Sequence, residues 1–288
     1  MNEGKIIRLT GGLYTVVDKE GNTVDLRAAG IFRHQGESPR VGDDVVVADG
    51  AIRAIRPRRN DLVRPAVANV DQAIVVNAAR EPDFSFLLLD QFLVLVRAAG
   101  VAPLIVVTKI DLLGSEKLST LRRKLSFYEP FCPVLFVNSL ETDGAEALKP
   151  HLRGRTSVLA GQTGAGKSSL LNAVDPTLHR ATDAISQALG RGKHTTRTVE
   201  LIPFSDGWIA DTPGFSRLEF EGVRLATLQD LYPDFTAVAD RCRFNGCTHD
   251  HEPGCAVKAA VAAGTILPER HANYLRIREE IRNLKPKY

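Results

Sequence analysis

Apolar and polar positions alternate through the first sixty residues, in KIIRLT (5–10), GLYTVVD (12–18), NTVDLRA (22–28), VVVA (45–48) and AIRAI (51–55). Gly11-Gly12, Gly21-Asn22, Gly42-Asp43 and Asp49-Gly50 break the pattern. Period-two alternation with turn residues at this spacing predicts about five short antiparallel strands. That number fits an OB-type barrel carrying a long loop at 29–40.

The rhythm changes after Arg59. Continuous apolar runs follow: AIVVNA (73–78), PLIVVT (103–108), VLFVN (134–138), SVLAG (157–161), VELIPF (199–204) and WIAD (208–211). Helical stretches are predicted over 85–99 and 115–126. Apolar strands spaced by helices imply a parallel sheet covered on both faces. Past residue 221 no strand pattern remains. A cysteine cluster comes first, then two helical stretches. In the second, Tyr274, Ile277, Ile281 and Leu284 fall on one apolar stripe, and Pro268 suits the first turn. The expected organisation is a multidomain α/β protein: an N-terminal OB-type β-barrel over 1–60, an α/β domain over 61–221 and a helical C-terminal domain over 222–288.

Composition narrows the class. With 44% hydrophobic and 25% charged residues in 288, a disordered or fibrous chain is excluded. Runs such as FLLLDQFLVLV (86–96) are too short and interrupted to span a bilayer. MNEGKIIRLT lacks the basic and apolar regions of a signal peptide, so a cytoplasmic protein is expected, with no membrane partner. Four cysteines in a chain this long make no disulfide scaffold; three clustered ones suggest metal. The net charge of +3 is unremarkable, but residues 51–64 carry five arginines against one aspartate, and 270–288 carry six Lys/Arg against two glutamates. Arg53, Arg56, Arg58 and Arg59, with Arg276, Arg278 and Arg282, are candidate contacts to RNA phosphates. Solvated faces are the alternative.

Residues 161–168, GQTGAGKS, satisfy G-x-x-x-x-G-K-[ST] between an apolar strand and a helix, the context a P-loop requires. Gly161, Gln162, Thr163, Gly164, Ala165, Gly166, Lys167, Ser168 and Ser169 would wrap a nucleotide's phosphates. Lys167 would reach the β- and γ-phosphates and Ser168 would hold Mg²⁺. In WIADTPGF (208–215), Asp211 ends a strand where it can hold Mg²⁺ through water, and the Gly214 N–H can sense the γ-phosphate. TKID (Thr108, Lys109, Ile110 and Asp111) ends another strand. Asp111 can accept two hydrogen bonds from guanine that adenine cannot supply, and Lys109 can lie flat over the base. Ser139 is a further candidate for a base contact. Asp111 precedes Lys167, the reverse of the usual GTPase order, which a circular permutation explains. A P-loop ATPase or kinase is the alternative that Asp111 argues against.

With TKID, GQTGAGKSS, GRGKHTTR (190–197), DTPGF and C-x4-C-x-H-x5-C in one chain, the sequence resembles, over its whole length, the RsgA family of circularly permuted, ribosome small subunit-dependent GTPases of bacteria. The resemblance implies hydrolysis of GTP to GDP stimulated by the 30S subunit, contact with 16S rRNA, a role in late 30S maturation and action as a monomer. A nucleotide that only gates RNA binding is the alternative. Thr108 stands where the standard base motif has Asn, so the amide that braces the P-loop is expected to be missing. Phe215 stands where Ras-like enzymes place a water-orienting glutamine, so intrinsic hydrolysis is expected to be slow. Thr195 or Thr196 could complete the Mg²⁺ shell, with Thr196 favoured. His194 could orient water; a solvated or rRNA-contacting loop histidine is the other reading. Cys242, Cys247, His249 and Cys255 fit a closed, structural Zn²⁺ site with one ion per chain, with His251 as the alternative to His249. Cys132 stands apart and reads as a small buried hydrophobe.

Overall fold

In a computed structural model, residues 2–32, 36–62, 66–138, 142–175, 199–211, 220 and 222–284 are described. Five strands open the chain: β1 (Glu3–Thr10), β2 (Leu13–Val17), β3 (Thr23–Ala28), β4 (Asp44–Ala48) and β5 (Ala51–Ile55). Their order is β2-β3-β5-β4-β1, and β1 also pairs with β2, which closes the barrel. Two-residue turns join β1 to β2 at Gly11-Gly12 (φ 57° and 79°) and β4 to β5 at Asp49-Gly50 (φ 50° and 69°). Left-handed pairs of this kind match the twist of a hairpin. Ile6, Val16, Val45 and Ile52 fill the interior. A Cβ on Gly4 would lie 2.6 Å from the Val17 carbonyl, so closure needs glycine there.

The described residues form two units. The first takes those within 1–74, 139–160 and 167–216. Besides the barrel it holds α3 (Thr142–Leu152), β9 (Thr156–Ala160), α4 (Lys167–Val174), β10 (Glu200–Phe204) and β11 (Gly207–Asp211). β11 runs parallel to β9. β10 and β11, however, form an antiparallel hairpin, and β10 meets β1 antiparallel at Arg8 and Glu200. The expected parallel sheet is thus mixed. The reason is local: Ser205 and Asp206 both take positive φ (47° and 59°) and turn the chain in two residues, too few for a crossover. At the start of β6 (Gln72–Ala78), Asp71 exchanges two bonds with Thr156, at 2.8 and 2.7 Å, and Gln72 Nε2 donates to Ser157 Oγ at 2.9 Å.

The second unit takes the described residues within 75–138, 161–166 and 217–288. It holds the end of β6, α1 (Phe86–Ala98), β7 (Ala102–Thr108), a 3-10 turn (Ile110–Leu112), α2 (Ser115–Leu125) and β8 (Val134–Phe136), which is parallel to β7. Ser85 caps α1 by accepting from the Leu88 N–H at 3.2 Å. The C-terminal part adds a 3-10 helix (Leu225–Leu231), α5 (Pro233–Ala239), α6 (Ala256–Ala262) and α7 (Pro268–Arg282). Pro268 opens α7, and Tyr274, Ile277 and Ile281 are buried. Leu284 is not part of that stripe. It lies beyond the end of the helix and is exposed.

A buried ion triad ties these C-terminal helices to α1. Arg270 of α7 donates twice to Asp234 of α5, at 2.5 and 3.0 Å, and once to Asp90 of α1. Asp90 also accepts from Asn273 at 2.7 Å and Tyr128 at 3.1 Å. The guanidinium lies 4.7 Å from the ring centroids of both Tyr128 and Tyr232. Burial would push so enclosed an arginine toward neutrality, but the two carboxylates outweigh it and hold its pKa well above the ordinary value. Cys132 is buried as expected, and burial pushes its thiol up to about 11.

Candidate functional site

The P-loop is built on three glycines whose backbone conformations would strain another residue. Gly161 (φ 135°) leaves β9 so close to β6 that a Cβ would sit 2.2 Å from the Val76 carbonyl. Gly164 and Gly166 take φ of 82° and 84°, which curls the loop. Thr163 and Gly164 are exposed, while Ala165 is buried beneath them. Gly166 leads into α4, which Lys167 opens. Ser168 and Ser169 are exposed in its first turn, and burial pulls the Lys167 ammonium below its ordinary pKa.

TKID meets this loop directly. Thr108, fully buried at the end of β7, donates through Oγ1 to the Ala165 carbonyl at 2.7 Å. Thr108 lacks the amide of the standard motif, but its hydroxyl makes a bond to the loop in that place. A hydroxyl reaches the loop because Gly166, lacking a side chain, lets Thr108 approach; a Cβ there would lie 3.3 Å from its Oγ1. Lys109 takes a left-handed conformation (φ 54°), and its ammonium donates to the Glu81 carbonyl. That bond ties the Lys109 side chain to the segment that follows β6. Ile110 and Asp111 begin the 3-10 turn, where Asp111 is exposed. Gln162 is half-buried beside Gly161.

The four metal-ligand candidates converge. One donor atom from each of Cys242, Cys247, His249 and Cys255 lies within 4.8 Å of all the others. His249 Nδ1 is 3.4 Å from Cys255 Sγ and 3.7 Å from Cys242 Sγ. Sulfur atoms on a tetrahedral ion with ~2.3 Å bonds stand at such separations, so the donor set fits one. His251 is outside the cluster, solvent-exposed and paired with Asp250. Burial pushes the Cys247 thiol up to about 12, so a thiolate there calls for a cation. Burial also lowers the pKa of His249 and keeps the imidazole neutral, the form that ligates. The Ala256 N–H faces Cys242 Sγ at 3.3 Å and the Lys258 N–H faces Cys255 Sγ at 3.5 Å. Glu252 accepts from the Thr248 and Asp250 N–H groups, at 2.8 and 3.0 Å, and so shapes the loop. Tyr274 and His271 of α7 hang it on the helix through the Thr248 and His249 carbonyls.

The arginine candidates separate. Arg53 pairs with Asp49 at 3.1 Å and Arg56 with Glu3, both at the surface. Arg58 is instead largely buried; it grips the fully buried Asp43 at 2.7 and 2.8 Å and reaches the Ser38 carbonyl. Arg59 joins Asp71 and the Asn69 carbonyl. Arg276 is exposed, Arg278 pairs with Asp250 at 3.3 Å, and Arg282 pairs with Glu279. Ser139, His194, Thr195, Thr196, Gly214 and Phe215 lie outside the described residues, as does the side chain of Asp211, whose backbone ends β11. Sequence reasoning missed the Asp90–Arg270–Asp234 triad. Its one signal was Asp90, the only charge in the run FLLLDQFLVLV.

Comparison with known proteins gives a consistent result. The family model described as RsgA GTPase matches residues 55–221, and that of the RsgA N-terminal domain matches 3–50. The chain is 47% identical over 294 residues, covering 100% of both chains, to the small ribosomal subunit biogenesis GTPase RsgA of Geobacillus thermodenitrificans. It is 44% identical, at the same coverage, to the protein of that name from Shouchella clausii. Among solved structures it resembles YloQ, a circularly permuted GTPase (TM-score 0.85, 39% identity, 100% of this chain and 97% of that one). It also resembles YjeQ from Thermotoga maritima (TM-score 0.87, 33% identity, 99% of each chain).

Proposed function

Because the chain belongs to the RsgA GTPase family, we propose that it hydrolyses GTP on the small ribosomal subunit and serves that subunit's late maturation, in the cytoplasm and as a monomer. The observation that carries this reading is the bond from Thr108 to the Ala165 carbonyl, which couples the base-selecting TKID to the phosphate loop. The domains we assign are the barrel over 1–60, the permuted GTPase domain over 61–221 and the metal-binding domain over 222–288.

In this reading the N–H groups of Gly161–Ser169 cradle the phosphates, and Lys167 neutralises charge that develops between the β- and γ-oxygens. Asp111 selects guanine by accepting from its N1–H and exocyclic amine. Ser168, Thr196 and the Asp211 carboxylate would hold Mg²⁺, which supplies charge neutralisation at the phosphates. Gly214 senses the γ-phosphate, Ser139 adds a base contact and His194 orients the attacking water. Phe215 cannot take that last role, so free enzyme turns over slowly until the subunit positions His194. Cys242, Cys247, His249 and Cys255 would hold one structural Zn²⁺. Arg53, Arg56 and Arg59 near the barrel, with Arg276, Arg278 and Arg282 on α7, would meet the phosphate backbone of 16S rRNA. Arg58 supports them from within.

The test is the rate of GTP hydrolysis with and without purified small subunits. A large rise supports the reading. Binding without a rise would instead favour an assembly factor in which nucleotide only gates RNA contact.

A further inference from the structure

An open surface cleft of about 440 Å³ lies beside α2, and its lining includes neither the P-loop nor TKID. One wall is a single face of α2: Lys117, Thr120, Leu121 and Lys124 recur at helical spacing. The other wall is the segment between β6 and α1, with Arg80, Asp83 and Phe84, together with Phe86 at the start of α1. The two rings meet edge to face at 4.9 Å, and Phe86 also stacks on Tyr128 at 6.2 Å. Phe86 is thus backed by Tyr128, while Phe84, half-buried like Phe86, has no second ring partner among the described residues.

The charges are as informative as the rings. Three cations line the cavity against one carboxylate, Asp83. Lys124 is already held by Glu269 at 2.5 Å. Arg80 and Lys117 are exposed and make no ion pair among the described residues. The volume suits one nucleotide rather than a protein side. Aromatic faces beside free cations are how proteins hold unpaired nucleotides, with the base on a ring and its phosphate on Lys or Arg. Neither arginine-rich segment of this chain offers that pairing. We propose that this cavity takes an unpaired RNA nucleotide, its base stacked on Phe84 and its phosphate between Arg80 and Lys117. The proposal deepens the ribosomal reading above by giving the GTPase domain its own RNA contact.

The test uses the full-length protein and a labelled oligouridine carrying 4-thiouridine. Cross-links are expected within residues 80–86. Phe84→Leu should weaken binding roughly tenfold while Phe84→Tyr retains it. Arg80→Gln and Lys117→Gln, both at exposed positions, should each lower the salt dependence by about 0.7 in log–log slope. Affinity for GDP should not change in any of them. Cross-links mapping only elsewhere, or oligouridine binding indifferent to Phe84→Leu, would overturn the site. So would displacement of the RNA from these cross-links by polyglutamate, which points to an acidic protein partner. Subunit-stimulated hydrolysis is a separate readout. Its absence in the wild type, with the cross-link intact, would sink the ribosomal reading and leave this site standing.

Discussion

The hydroxyl of Thr108 donates to the Ala165 carbonyl at 2.7 Å, joining the TKID segment to the glycine-rich loop GQTGAGKS. Both residues are fully buried. Thr108→Val keeps the shape and removes the donor, which leaves a buried carbonyl unsatisfied at a cost of ~1–3 kcal/mol. Much of that cost should appear as weaker nucleotide binding, since the loop loses its preset form. Calorimetry with GDP should show affinity reduced by fivefold or more, and Thr108→Ser should restore it. Equal affinity for Val and Thr would show that the glycines alone hold the loop.

Arg270 makes a different prediction. It is 3% exposed and neutralises two carboxylates on two other helices. Arg270→Ala strands both charges, and breaking a buried pair costs ~3–5 kcal/mol. Thermal unfolding should shift down by several degrees and α7 should exchange its amides faster. Arg270→Lys should rescue little, because an ammonium cannot donate in a fork. The same cluster has a pH signature. Burial raises the Asp90 carboxyl from 3.8 to about 6, against the pull of Arg270. The folded state then holds that proton more tightly than the unfolded chain. Its stabilising contribution is complete below about pH 4 and is lost as pH rises through about 6. Stability of the wild type relative to Asp90→Asn should therefore fall across that window; a rise would refute the direction.

What the sequence shows, and what it hides, follows from range. The barrel strands, the P-loop and the metal ligands are set by local signals: alternation, glycine spacing, clustered donors. The β10–β11 hairpin was hidden because Ser205-Asp206 is a weak form of the left-handed turn pair that Asn-Gly announces. The triad was hidden because Asp90 and Arg270 are 180 residues apart and nothing local marks either as a partner. α5 and the 3-10 helix before it are short and were not separable from loop. Thr108 was legible as a departure from the usual motif, but not as a donor, since its reach depends on the bare backbone of Gly166.

Metal content is directly measurable. Elemental analysis of the purified protein should give one zinc per chain. Cys255→Ser removes a candidate ligand and also the sulfur that accepts from the Lys258 N–H at the start of α6. It should lose the ion and loosen α6 and the loop that Glu252 organises, while GDP binding persists. A protein that carries no zinc and resists chelators without loss of thermal stability would remove the metal assignment.

The barrel arginines give the last prediction, because the structure divides residues that composition groups together. Arg53 is half-exposed, pairs with the surface residue Asp49 and donates to the Ala48 carbonyl. Arg58 is 16% exposed and binds the fully buried Asp43 through two bonds, which hold the Arg58 pKa above its ordinary value. Asp43 in turn accepts from the Arg40 N–H at 2.7 Å, next to Gly42, where a Cβ would lie 2.0 Å from the Ala68 carbonyl. Arg58→Ala therefore leaves a carboxylate buried at a tightly packed corner. The expected cost is ~2–4 kcal/mol, moderated because Arg58 itself keeps some contact with water. Arg53→Ala should leave stability unchanged and instead reduce the salt dependence of small-subunit binding by about one counterion. Denaturant unfolding and binding titrations at several salt concentrations separate the two effects. If Arg58→Ala unfolds like the wild type and only subunit binding suffers, then Arg58 faces the RNA and the Asp43 pair is dispensable.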